Sequence, residues 1–131
     1  IDISGTGNLY SFPTNDDAGE SISIGFDFSF YGENYNSLII NPNGWVGFGN
    51  DNNEWDNTNI PSPSAPRPAI YGLWDDLNPV NDNCNSYCSG SVYTHGNSNA
   101  LLCGSMKWPI GGLILKRVIT TSRLCFIPME I

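Results

Sequence analysis

The sequence predicts an all-β fold, an antiparallel β-sandwich, and three observations carry that prediction. Residues 21–30 alternate strictly: Ile22, Ile24, Phe26, Phe28 and Phe30 share one face, and Ser21, Ser23, Gly25, Asp27 and Ser29 share the other. Period two is the pattern of a half-buried strand. Residues 38–50, LIINPNGWVGFGN, read as strand, tight turn, strand. Finally, short apolar runs recur along the chain with turn residues between them, and no amphipathic helix of useful length interrupts them.

In order, residues 8–12 (NLYSF) form a short strand that stops at Pro13, and residues 14–20 (TNDDAGE) a polar turn. The alternating strand follows. Tyr31, Gly32, Glu33 and Asn34 turn the chain into a strand over 35–40. In Asn41-Pro42-Asn43-Gly44, proline presets its own φ and Asn-Gly accepts the φ > 0 geometry of a hairpin, so Gly44 is predicted at positive φ. Gly47 and Gly49 in the next strand point to a closely packed neighbour or a bulge. Residues 50–66 form a long loop, because Pro61, Pro63, Pro66 and Pro68 exclude helix and oppose central-strand pairing. A strand is expected over 69–77, a second polar loop over 78–90, and a hairpin from strands 91–95 and 100–103. The predicted core is Ile24, Phe26, Phe28, Ile39, Val46, Phe48, Ile70 and Leu73.

A chain of 131 residues makes one domain with room for a real core. Its formal charge of −8 repels phosphate backbones, which argues against nucleic acid as a partner. No run is long enough to span a membrane, and no charged-then-apolar leader opens the chain. The abrupt start at Ile1 reads as part of something longer. Four cysteines in an acidic, Asn-rich chain indicate an oxidising, extracellular setting. Cys84 and Cys88 are close enough in sequence to bridge locally, whereas Cys103 and Cys125 are left unassigned. Zinc is a poor fit, since there is no second close Cys pair and His95 is the only histidine.

The motifs Phe30-Tyr31-Gly32, Tyr35, Asn43-Gly44, Phe48-Gly49, Trp74-Asp75-Asp76 and Gly90-Ser91-Val92-Tyr93 follow one another in a specific order. In that order, with a Pro-rich loop between Phe48-Gly49 and Trp74-Asp75-Asp76, the chain resembles the nidogen-like (NIDO-type) extracellular module, most closely versions in secreted multidomain bacterial proteins. The resemblance covers roughly residues 21–102. It implies a non-enzymatic adhesion or structural module, placed outside the cell or on its surface beside other domains of the same chain.

The tail over 103–131 departs from that pattern. Up to Ala100 the only base is Arg67, whereas beyond it Lys107, Lys116, Arg117 and Arg123 face Glu130 alone. Reading codons one base earlier, Met106-Lys107 forces Glu, Trp108-Pro109 forces Ala and Met129-Glu130 forces Gly, while residues 121–125 admit Phe-Gln-Val-Val. The tail therefore reads as frame-shifted, with the frame lost near residues 101–105. From such a tail we expect irregular structure, poor burial of its apolar residues, or an edge open to aggregation.

Carboxylates and amide oxygens crowd at the end of the 69–77 strand. Asp75, Asp76, Asn78 and Asp82 are the metal candidates, and a hard cation such as Ca²⁺ suits them; the plainer alternative is a solvated acidic loop. Trp55, Trp74 and Tyr93 are the ligand-binding candidates, as aromatic platforms beside Asn and Asp. Catalytic signals are weak. Asp75 and Asp76, adjacent on a strand, would point to opposite faces, and there is no nucleophile elbow to pair with His95. The sequence thus points to an extracellular binding, adhesion or structural module for a protein or glycan ligand, not an enzyme. The rivals are a carbohydrate-binding module and a β-sandwich glycoside hydrolase, the latter needing two acids across a cleft.

Overall fold

The computed structural model describes residues 7–12, 17–51, 53–72, 74–79, 91–97, 100–103, 116–120 and 124–127, with the backbone alone from residue 100 on. The described strands are β1 (Asn8–Tyr10), β2 (Glu20–Phe30), β3 (Glu33–Asn41), β4 (Trp45–Gly47), β5 (Ala69–Tyr71), β6 (Val92–Asn97), β7 (Ala100–Cys103), β8 (Lys116–Thr120) and β9 (Leu124–Ile127). They build a four-stranded sheet in the order β2-β3-β4-β5 and a five-stranded sheet in the order β1-β6-β7-β8-β9. Every ladder is antiparallel. The chain therefore starts in one sheet, crosses to build the other as a meander, and returns.

The alternation of β2 sets the core. Ile24 and Phe28 are buried, Ile22, Phe26 and Phe30 are half-buried, and the serines between them are exposed. With Leu38, Ile40, Val46, Phe48, Ile70, Leu77 and Val92 they make one cluster that bridges the sheets, β6 contributing Val92. Each such side chain contributes roughly 1.5–3 kcal/mol when fully buried. Of the expected core, Ile24, Phe28, Ile39, Val46, Phe48 and Ile70 are buried, Phe26 sits half-buried at its margin, and Leu73 lies outside the described residues.

Three local expectations change. Between Ser23 and Phe28 the β2–β3 register shifts through a bulge, with Gly25 at φ 85°. Alternation alone hides a bulge, because the inward residues on either side of it keep their face. Second, β5 stops at Tyr71 instead of running to 77, because the backbone beyond it bonds to a turn and not to a strand (below). Third, where irregular structure is one expectation, the described residues of the tail pair regularly over β8 and β9, with Val118 and Ile119 in register with Cys125 and Leu124. A ladder needs only β-compatible backbone there, and β9 remains as an outer edge. Because β8 separates β7 from β9, Cys103 and Cys125 stand two strand spacings apart, about 9–10 Å. That exceeds the ~7 Å Cα reach of a disulfide. Cys84 and Cys88 lie outside the described residues.

Candidate functional site

The turn between β3 and β4 is the point from which the candidate site is built. Gly44 N–H donates to Asn41 O at 3.2 Å and Asn41 pairs with Trp45, so the loop is Pro42, Asn43 and Gly44. Gly44 has φ 80°, as expected, and takes the left-handed position that closes a three-residue hairpin. Asn41 Oδ1 accepts the Asn43 N–H at 2.8 Å, an Asx-turn that the N-P-N-G spelling supports. The turn is no solvent-exposed tip. Pro42 and Asn43 are fully buried, and Asn43 offers its oxygens to a later segment: Oδ1 accepts Leu77 N–H at 2.8 Å and the main-chain O accepts Asp75 N–H at 3.3 Å. Gly72 N–H reaches Gly44 O at 3.0 Å. The chain carrying Trp74, Asp75 and Asp76 is thus stitched to the turn, which is why β5 ends early. Asn43 Nδ2 and Trp74 Nε1 are buried donors without a hydrogen-bond partner.

The long loop between β4 and β5 is braced at several points. Phe48 N–H donates to Pro68 O at 2.8 Å. Trp45, almost wholly buried, donates Nε1–H to Glu54 O at 3.0 Å. Arg67 N–H donates to Asp51 Oδ2 at 3.2 Å, and Asn57 Nδ2 to Trp74 O at 3.4 Å. Gly49 packs so close to the Arg67 carbonyl that a Cβ there would lie 2.6 Å from its oxygen, the close approach its sequence position anticipates. The Tyr71 hydroxyl donates to Pro66 O, and burial pushes the phenol up to about 12, reinforced by Asp51 and Glu54 and opposed by Arg67. The brace leaves Trp55 and Ile60 outside, 50% and 57% exposed. Ile60 joins Pro61, Pro63, Ala65, Arg67 and Tyr71 in the wall of an open hollow of about 330 Å³.

Of the ligand-binding candidates, Trp55 lies in the braced loop and Trp74 in the segment stitched to the turn, and Asn57 Nδ2 donating to Trp74 O joins the two segments. Trp74 is half-buried, its ring tilted by 33° against that of Tyr71 with centroids 4.7 Å apart. Tyr93 does not join them. It lies half-buried in β6, in the other sheet, opposite Leu9. Asp75 and Asp76 are exposed and off the strand, so the expectation that strand geometry parts their side chains does not apply; Asp75 Oδ1 accepts the Asp76 N–H at 3.1 Å. Asn78 is half-buried and Asp82 lies outside the described residues. Among the described residues no three His, Cys, Asp or Glu side chains converge as metal ligands. His95 is exposed near the end of β6. Sequence reasoning gave no site role to Asn43, Trp45, Ile60 or Tyr71; the partner of Asn43 is 34 residues away, and those of Trp45 and Tyr71 are 9 and 5.

The class that emerges is a two-sheet, all-β module with one braced, aromatic loop face. The chain belongs to the NIDO-related family, whose model matches residues 1–97, and that makes it an extracellular-type module. The match ends before the tail. No curated protein and no solved structure matches the chain. No helix among the described residues is long and apolar enough to cross a membrane.

Proposed function

We propose that the chain is a non-enzymatic binding module of a secreted or cell-surface protein, and that its contact surface is the braced face formed by the long loop and the end of β5. One observation carries the reading. A loop of this length, held by hydrogen bonds from Trp45, Phe48, Arg67 and Tyr71, presents Trp55 and Ile60 to solvent. Bracing a loop in advance removes ordering cost at binding, and large apolar groups held outward are what a partner can use. A carbohydrate-binding module is the runner-up, favoured by exposed Trp55 and by the tilted ring pair of Tyr71 and Trp74. A glycosidase finds less support: Asp75 and Asp76 are neighbours in sequence, not acids facing one another across a cleft.

The test is retention of beads coated with the chain on protein-coated and polysaccharide-coated surfaces. The paired variant Trp55→Ser, Ile60→Ser should lower retention about tenfold, roughly 1.4 kcal/mol per contact event, with its melting temperature unchanged. Equal retention by parent and variant would sink the assignment of the surface.

A further inference from the structure

The walls of the hollow are mostly aliphatic: Ile60, Pro61, Pro63 and Ala65. Its polar groups are turned back on the loop. Tyr71 donates to Pro66 O, Arg67 Nη2 donates to Pro63 O at 3.1 Å, and Ser62 Oγ accepts the Ser64 N–H at 3.2 Å. A sugar needs converging donors and acceptors for its hydroxyls, and here part of that capacity is already used within the loop. At about 330 Å³ the open space is at the low end for ligand pockets and ample for one aliphatic side chain.

Acidic groups outnumber basic ones around the hollow, whose own wall carries one cation, Arg67. Arg67 is the only Lys or Arg in residues 1–97, and it is held against the loop. The carboxylates of Asp51 and Glu54 act on the Tyr71 phenol in the wall. Asp56, Asp75 and Asp76 are exposed as well, and Trp74, next to Asp75 in sequence, has its ring tilted against Tyr71. A cation brought to this rim meets the carboxylates of Asp51 and Glu54, which attract it.

We propose that this hollow seats an aliphatic side chain of a partner polypeptide whose flanking residues are lysine or arginine. The inference rests on the reading of the loop face as the binding surface and adds the chemistry of the partner. The aliphatic group enters between Ile60 and Pro63, and the flanking cations lie against Asp51, Glu54 and Asp56. Because opposite charges on an exposed rim are screened by salt, binding weakens as ionic strength rises.

The test is an NMR titration of the whole chain, isotope-labelled, with three short synthetic peptides of equal length: alternating Lys and Leu, Glu and Leu, and Lys and Ser. Cellohexaose and chitohexaose are titrated alongside. The expected result is that the Lys/Leu peptide shifts the Ile60 methyls and the Trp55 indole, binds at least about tenfold more tightly than the other two, and loses affinity with added salt. Ile60→Lys should abolish this binding with the remaining spectrum intact, since Ile60 is more than half exposed. Should that variant unfold, Trp55→Ser reads the same surface. A Lys/Leu peptide that binds no better than either control, or shifts residues away from the hollow, overturns the proposal. A hexasaccharide that shifts Ile60 and Trp55 while the Lys/Leu peptide does not overturns the partner class and leaves the loop face standing as a binding surface. If every probe leaves that face silent, the proposal falls, and the bead experiment separately decides whether the face binds at all.

Discussion

At one end of β3 the chain reverses through Tyr31 and Gly32, with Tyr31 90% exposed; at the other it reverses through Pro42, Asn43 and Gly44, with Asn43 completely buried. The first is a two-residue hairpin. Phe30 pairs with Glu33, and both central residues have positive φ, Tyr31 at 51° and Gly32 at 86°. It is held from below by aromatic packing: Phe28, Phe30 and Tyr35 crowd around Phe48 with ring centroids 4.8–5.3 Å apart. The second turn is held by hydrogen bonds to distant backbone, above all from Leu77 to Asn43. A turn fastened by packing leaves its tip free to solvent. A turn fastened by its own polar groups becomes an anchor for another part of the chain, here the segment that carries the candidate site.

The sharpest way to break the packed end is Phe28→Ala. Phe28 is 4% exposed and touches the rings of both Phe30 and Phe48. Its loss should cost roughly 3–5 kcal/mol, seen as a lower urea midpoint with unchanged slope. A midpoint unmoved by the variant would mean that β2 has the wrong register.

At the anchored end, Asn43→Ala leaves the buried Leu77 N–H without its acceptor and should cost about 1–3 kcal/mol. The diagnostic is local: hydrogen exchange should accelerate most at Leu77 and Asp75, ahead of global unfolding. Equal acceleration at Val46 and Leu77 would remove Asn43 from its role as the anchor. Gly44→Val forces a β-branched residue to φ 80°, a strain of order 1–3 kcal/mol. An unchanged melting temperature would refute the turn geometry.

Tyr31→Asn should change stability by less than about 1 kcal/mol, since relief of left-handed strain in a bulky residue opposes loss of the edge contact with Phe30. A large loss there would show that the exposed tip is also an anchor.

The smallest effect is confined to alkali. The Tyr71 phenol is raised from 10.0 to about 12, chiefly by burial, so the fold favours its neutral form. Its contribution is complete below pH 10 and disappears as pH rises through 12. Tyrosinate absorbance should show Tyr71 titrating late, with the Trp74 fluorescence changing in the same step. Titration near 10 would mean that the phenol is not buried against the loop.

The strands up to β7 were legible because each follows from residues close in sequence. The period-two run of β2 can bury its aromatic face only as a strand, and Asn-Gly and the proline-rich segment limit the backbone wherever they stand. Gly44 at positive φ and the buried Ile24, Phe28, Val46 and Phe48 follow directly. The candidate site was legible only in part. Trp55 and Trp74 were read as ligand-facing aromatics and lie in two segments joined by the Asn57 Nδ2 bond to Trp74 O, while Tyr93 stands in the other sheet. Tertiary structure decided the rest. Asn43 binds a backbone N–H 34 residues away, Trp45 fixes Glu54, and Arg67 closes on Asp51 16 residues before it. Hydrogen bonds of that span depend on which strands lie beside one another, and no local propensity encodes that choice. The same holds for the end of β5, where the sequence continues as a strand would, but the donors of Gly72, Asp75 and Leu77 find a nearer acceptor in the turn.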